Sequence, residues 1–374
     1  MIRNSSLTNA DFASAIGIDP TKLSKSLGGL RRFTSFELAS VASRGRTTVD
    51  WLLTGTAPDR ALLAARAAPE ADEDVLVKAE RRVRAIAEVE AALDKLEPDS
   101  VERPPLPAVS LLGRPMDDAE SMADLVLGTV HDVGWQKILR TDPARVVERL
   151  FGINVVFEKC GAGLDGIALN SAASRVILVN TSIAWSRQRF TLAHEVGHLI
   201  AGDGRASGIC VDADVMASQR VEEQRANSFA ACLLMPRRDL RDDLPDADGV
   251  DDATFGRLVG EYRVSASAMA WRLKNLGYID EVRRAQLGSM RPDQAARLGD
   301  WQAELGRLAV EQRRRRPAVA LAERALVAFA EGVASARLVA TILDVDPDEV
   351  LSVWHELAQP PPDVDGGREA VFAP

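Results

Sequence analysis

The chain is poor in cysteine, histidine and tyrosine. Its 374 residues include three cysteines (Cys160, Cys210, Cys232), four histidines and two tyrosines, and aromatic residues make up 5%. The cysteines are scattered, odd in number and form no CxxC pair. They exclude a disulfide scaffold or a cysteine-based zinc ribbon, and they fit a reducing cytoplasm. No uninterrupted apolar stretch approaches the roughly 20 residues of a membrane helix, which excludes an integral membrane protein. The first residues, MIRNSSLTNADF, lack the apolar core of a signal peptide, so a cytoplasmic location is expected. A Gly-rich phosphate loop and an internal repeat are also missing. A net charge of −9 argues against a protein that coats nucleic acid over its whole surface. What is present is a hydrophobic fraction of 46%, enough for real cores, on a chain long enough for two or three domains.

Charge is unevenly spread. Residues 1–60 carry eight Lys or Arg against five acids, a net +3 within an acidic chain. This segment is the candidate for contact with phosphate. It reads as short helices with tight breaks. Ala10 to Ile16 is a helix ended by Gly17, in the left-handed position that glycine takes at little cost. Asp19 can cap a second helix, with Pro20 at its first position, that runs to Leu27 before Gly28-Gly29. Thr34–Ser43 and Thr48–Leu53 read as two more.

Residues 57–74 are rich in Ala, Pro and acids and read as a linker. Val75–Leu96 is one strong helix, with Ala79, Val83, Ile86 and Leu93 at spacings near 3.5. Two readings of it stand open: a dimeric coiled coil joining two copies through residues 75–96, or a helix packed on its own chain. Pro104, Pro105 and Pro107 then mark the main domain boundary. Beyond it, Ala119–Thr129 and Ala144–Leu150 read as helices. The β-branched runs Ile153–Phe157 and Val176–Val179 read as strands, with Gly161, Gly163 and Gly166 between them. Gln188–Ala201 and Val221–Met235 are helices, the latter stopped by Pro236. Residues 251–279 form a helix pair, and helices continue to about 357.

The sharpest signal is His194-Glu195-Val196-Gly197-His198, an HExxH. On a helix, positions i and i+4 share a face, so both imidazoles can reach one tetrahedral Zn²⁺ at about 2.0–2.1 Å. Glu195 sits one residue round from His194, where it can reach water without ligating the metal, as a general base does. Phe190, Leu192, Leu199 and Ile200 supply the buried sides of the helix. A catalytic zinc needs a third protein ligand. His131 and His355 are distant and lie in irregular contexts. An acid on the helix VEEQRANSFAACLL is the better candidate. Glu223 shares a face with Asn227, Ala230 and Leu234, small Ala226 and Ala230 permit close approach, and Glu222 is the rival.

The run RQRFTLAHEVGHLIAGD, followed by EQRANSFAACLLMP, resembles the ImmA/IrrE family of zinc metallopeptidases. Residues 151–180 (FGINVVF…GLDGIALN…RVILVN) resemble the family's strands ahead of its active helix, and VSASAMAWRLKNLGYI (264–279) resembles its closing helix pair. The resemblance covers roughly residues 110–280. It implies that His194, His198 and Glu223 are metal ligands and that Glu195 is the catalytic acid/base. It also implies peptide hydrolysis directed at a specific partner, such as a transcription repressor or antitoxin, that controls stress, mobile-element or defence genes. The metal it implies is zinc, and a His₂Glu set also accepts manganese. Arg187 and Arg189 have two open roles: oxyanion or substrate contacts, or a basic start to the helix with ion pairs.

Residues 8–53 resemble a helix-turn-helix of the Xre/Cro type. TNADFASAIG matches its second helix, IDPTKLSKSLGG its turn and recognition helix, and WLLTG its closing segment. By that match Thr21, Lys22, Ser24 and Lys25 would face a major groove. The sequence departs from the pattern in having only seven residues before Thr8, which leaves two readings open: a shortened first helix, or a module turned from DNA to a protein–protein contact. Arg313–Arg316 is expected to be a solvated basic run, and 331–357 a helical cap with helix-turn-helix-like spacing around Leu343-Asp344-Val345.

The expected fold class is α+β, mostly α. Residues 1–57 are a helix-turn-helix domain, 58–106 a linker with a long helix, and 107–282 a gluzincin-like metallopeptidase domain with a small β-sheet. Residues 283–360 are a helical C-terminal region and 361–374 a disordered tail. The expected function is a zinc endopeptidase fused to a DNA-binding module. The alternative is a non-proteolytic regulator or antitoxin whose peptidase-like domain senses a ligand or partner.

Overall fold

The computed structural model describes residues 8–44, 52, 73–98, 103–171, 174–203, 209–212, 221–244 and 250–358. The chain divides into two compact units, residues 1–65 and 66–374. The expected helix over 48–53, apart from Leu52, the linker up to residue 72 and the tail from 359 lie outside the described residues.

In the smaller unit the local signals act as read. Helix α1 (Asn9–Ala15) opens on a capping box. Thr8 Oγ1 accepts from the Asp11 amide at 3.2 Å, and the Asp11 carboxylate accepts from the Thr8 backbone. Gly17 turns the chain at φ +67°. Asp19 Oδ1 then accepts from the amides of Thr21 (2.9 Å) and Lys22 (3.2 Å) to start α2 (Pro20–Leu27). Phe12, Ala13, Ile16, Ile18, Leu23 and Val41 form the core, Val41 coming from α3 (Ser35–Arg44). Arg31 ties α2 to α3: it donates to Ser26 Oγ at 3.1 Å and to both Glu37 oxygens at 2.7 and 2.9 Å.

The Arg31 bond and the Thr34 amide hold Glu37 down at about 2, from an ordinary 4.5. A depressed folded-state value stabilises this unit above pH 4.5, and the contribution fades as pH falls through 2. Glu37→Gln is therefore expected to melt at a lower temperature than wild type at pH 7, with the gap shrinking towards zero as pH falls to 2 and below. Calorimetry across that range checks it, and a difference undiminished at pH 2 rules out this charge as the cause.

The larger unit is built on a small sheet. Strands β1 (Asn154–Glu158), β2 (Gly166–Asn170) and β3 (Arg175–Asn180) are joined by β4 (Ile209–Asp212) in the order β1-β3-β2-β4. β1 and β3 are parallel, and β2 runs antiparallel to both β3 and β4. The pleat sends Val155, Ala168, Ile177 and Val179 into the main core and Val156, Ile167 and Leu178 to the other face. Helix α4 (Glu73–Leu96) packs on β2 and β3.

The position of α4 favours one of the two open readings, the helix packed on its own chain. Its stripe of Ala79, Val83, Ile86 and Leu93 is buried within this unit, so residues 75–96 do not offer a free seam to a second copy. The physical reason is the sheet's second apolar face, which needs a cover. Polar contacts fix the helix there: Arg82 Nε donates to Glu158 at 2.6 Å, and Asn154 Nδ2 donates to Glu90 at 2.7 Å. The helix placed by spacing in a linker is thus part of the larger unit.

The remaining helices frame the sheet. They are α5 (Pro115–Asp132), α6 (Gln136–Thr141), α7 (Pro143–Phe151), α8 (Trp185–Ala201), α9 (Val221–Leu234), α10 (Arg237–Asp243), α11 (Asp252–Tyr262) and α12 (Ala266–Asn275). Then come α13 (Glu281–Gly288), α14 (Pro292–Leu298), α15 (Gln302–Glu311), α16 (Val319–Ala330), α17 (Ala336–Leu343) and α18 (Pro347–Ala358). The C-terminal helices join the same unit, with α16 and α17 packed on α4. The basic run is not simply solvated. Arg316 pairs in the backbone with Phe157 and sets its guanidinium on Glu148 at 2.6 Å, while Arg315 meets Glu158 at 3.0 Å and Asp344 at 2.6 Å. The reason is the buried Glu148 carboxylate, which needs a cation.

Candidate metal centre

Helix α8 carries His194, Glu195 and His198 and lies on β2 and β3. Helix α9 carries Glu223 and packs against both α8 and α5. Close packing of α8 and α9 depends on small residues. A Cβ added at Gly197 would stand 2.9 Å from the Phe229 ring and 3.4 Å from the Ala226 Cα. On the opposite flank, a Cβ at Gly166 of β2 would meet Thr191 Cγ2 at 2.6 Å, with Glu195 Cγ at 3.8 Å. Glycine at these two positions lets the motif helix settle between strand and helix.

The packing brings three donors to one point. His194 Nε2 and His198 Nε2 lie 2.9 Å apart, and Glu223 Oε2 lies 3.3 Å from the first and 3.5 Å from the second. His194 and Glu195 are fully buried, His198 is 1% exposed and Glu223 8%. Among the described residues this is the one group of three such donors close enough to share an ion. Glu222, the neighbour, is outside it, and so are His131 on α5 and His355 on α18, whose Nδ1 lies 2.7 Å from the Leu351 carbonyl.

Each imidazole is oriented from behind. His194 Nδ1 donates to Asn227 Oδ1 at 3.1 Å, and His198 Nδ1 donates to Asp203 Oδ2 at 3.0 Å. With Nδ1–H turned to these acceptors, Nε2 is the atom that each ring, once it gives up any proton there, presents to a metal, which is how a metal-binding histidine is usually held. Asp203 is itself gripped by Arg225, at 2.6 Å. Burial works against charge on His198, but the hydrogen bonds to Asp203 and Glu223 and the Glu195 charge overcome it and raise the imidazolium to about 10. Burial also raises Glu223, yet its hydrogen bonds to the two histidines prevail and hold its carboxyl well below the usual range. The site thus favours positive charge among its carboxylates. Two imidazole nitrogens and one carboxylate oxygen match the donor set of a catalytic zinc, so the residues present fit one metal ion.

Arg187 and Arg189 do not converge on this point. Arg187 forms an ion pair with Asp165, and Arg189 Nε donates to the Arg263 carbonyl at 3.0 Å. Sequence reading places Asn227 on the Glu223 face without a role and passes over Asp203 and Arg225. Two signals mark them. Asn227 is four residues after Glu223, on the same face. The Gly-Asp pair follows the motif helix directly: Gly202, at φ +73°, reverses the chain, and the Asp203 amide donates to the His198 carbonyl at 3.0 Å, which returns its carboxylate to the ring.

Comparison with known proteins agrees with this geometry. Residues 148–274 match the family model described as the IrrE N-terminal-like domain, Peptidase_M78. A radiation response metalloprotease IrrE of Deinococcus deserti is 34% identical over 124 residues, covering 30% of this chain and 44% of the relative. The protein of the same name from Deinococcus radiodurans is 35% identical over 100 residues, covering 26% of this chain and 30% of the relative. The chain spans less than half the length of these curated relatives. No described helix is long and apolar enough to cross a membrane. Residues 148–274, which match the IrrE N-terminal-like domain model, contain all three converging donors and resemble the metalloprotease relatives in this stretch.

Proposed function

We propose that this chain is a regulatory zinc endopeptidase that cleaves a specific protein in the cytoplasm, such as a repressor or antitoxin, and that its N-terminal unit binds DNA. The observation that carries the enzymatic half is the convergence of His194, His198 and Glu223 beside a buried Glu195. His194 and His198 would hold the metal through Nε2, and Glu223 through a carboxylate oxygen. When bound, the cation supplies Lewis acidity, lowering the pKa of water and polarising a peptide carbonyl. Glu195 takes the proton of the attacking water on its carboxylate and returns it to the leaving amine nitrogen. Asn227 and Asp203 keep both rings turned for the metal. Metal analysis of the purified protein tests the donor set: one zinc, or manganese, per chain in wild type and about a tenth or less in His194→Ala. Equal metal in both proteins refutes it.

The DNA-binding half rests on α2. Thr21, Lys22, Ser24 and Lys25 are all exposed on this helix, while Leu23 and Ser26 turn into the unit. This is the arrangement of a recognition helix that offers polar and cationic groups to a groove. Lys22→Ala and Lys25→Ala are each expected to lower the slope of log K against log salt by about 1 on a mixed-sequence duplex. Fluorescence anisotropy between 50 and 200 mM salt, the range over which such contacts weaken by orders of magnitude, reads it. Unchanged slopes place these lysines off the DNA.

A further inference from the structure

A cavity of about 350 Å³ lies behind the first half of α8, lined by Phe157, Trp185, Arg189, Arg263 and Arg314 among others. Its size is that of a small-molecule pocket. Five arginines line it, and three of them are neutralised: Arg263 by Glu304 at 2.6 Å, Arg315 by Glu158 and Asp344, and Arg316 by Glu148. Both lining acids are also engaged. Asp142 caps α7 through the Arg145 amide at 3.1 Å, and Glu311 pairs with Arg307 at 2.6 Å.

Arg189 and Arg314 are left. Neither makes an ion pair among the described residues, and Arg189 spends one donor, Nε, on the Arg263 carbonyl. A partly buried guanidinium without a carboxylate is costly, and folded proteins usually pair such a charge. Burial and the adjacent Arg263 charge push Arg189 down to about 9, against the pull of the Asp142 carboxylate. Arg189 also borders a second cavity of about 580 Å³, where Asp124, Asp239 and Asp242 stand among Arg140, Arg237 and Arg238, and where Arg140 is paired with Asp239 at 2.7 Å and Arg237 with Glu120 at 2.8 Å. Five arginines against two acids line the smaller cavity, which makes it the more favourable of the two for negative charge. The aromatic faces of Trp185 and Phe157 add an apolar wall.

We infer that this cavity binds a small phosphorylated molecule, its phosphate on Arg189 and Arg314 and a planar body against Trp185 and Phe157. Two forked guanidinium groups suit a phosphate dianion. The site is separate from the cluster of His194, His198 and Glu223, but Arg189 lies on the same helix five residues before His194, so an occupant there bears on the helix that carries the cluster. The inference stands apart from the peptidase reading, because binding is measured without metal or hydrolysis.

The test uses the full chain, calorimetric titration and thermal melts, with phenyl phosphate, inorganic phosphate and phenol as probes. Phenyl phosphate is expected to bind and raise Tm, inorganic phosphate to bind at least tenfold more weakly, and phenol to do neither. Arg189→Met should weaken phenyl phosphate at least tenfold without lowering Tm in the absence of probe, since it removes an uncompensated charge. Exposed Arg314→Ala, which leaves the interior untouched, should weaken binding several-fold and serves if the first variant does not fold. Absence of binding, equal response to phenol, or equal affinity in wild type and Arg314→Ala overturns the inference.

Discussion

Glu195→Gln is expected to abolish proteolysis while leaving the metal in place. The substitution keeps the shape of a fully buried side chain and removes its basicity, and Glu195 is not among the three converging donors. Positioned acid–base groups contribute about 10²–10⁴ in rate, so turnover should fall by about that factor. His198→Ala is expected to act differently. It deletes a donor and leaves Glu223 and Asp203 facing each other without the imidazole between them, so metal and activity are lost together. Labelling of new protein N-termini in cells that express each form, beside metal analysis, separates the two effects. Identical sets of new N-termini from wild type and Glu195→Gln would show that the chain cuts nothing and would leave the sensing regulator as the reading.

The second large effect concerns the joint between the two site helices. Phe229 is fully buried and its ring lies over Gly197. Phe229→Ala should cost about 3–5 kcal/mol through lost burial and the cavity left behind. It should also weaken metal binding, because Glu223 lies on the same helix and is held against the histidines by that packing. Gly197→Ala perturbs the joint from the other side. Alanine improves helix propensity by about 1 kcal/mol, but its Cβ would press on Phe229 and the Ala226 backbone, an overpacking worth about 1–3 kcal/mol. The clash outweighs the propensity gain where the contact is backbone and buried ring, so metal affinity should fall here too. Phe255→Ala is the control: this equally buried ring on α11 should cost similar stability and leave metal affinity in the folded protein unchanged. Loss of metal in all three would point to global unfolding instead of the α8–α9 joint.

Much of the framework is legible along the chain because it is local. Thr8, Asp19 and Gly17 sit where caps and a left-handed turn need them, and α1 and α2 follow within a residue of expectation. The β-branched runs became β1 and β3. Strand β2 was harder to read from its own residues because it begins at Gly166, a weak strand former whose reason is the closeness of α8. The stripe on α4 was correctly periodic, but periodicity names a buried face without naming its cover. A sheet face from residues some eighty positions away met it first.

The same division runs through the site. His194 and His198 share a face by the pitch of one helix, whatever surrounds them, and that spacing is a property of consecutive residues. The choice of Glu223 over Glu222, the return of Asp203 to a ring, and the burial of Arg189 without an ion pair depend on how separate helices and strands pack. That packing minimises exposed apolar area and unpaired charge over the whole unit, a sum over distant contacts that no window of neighbouring residues contains.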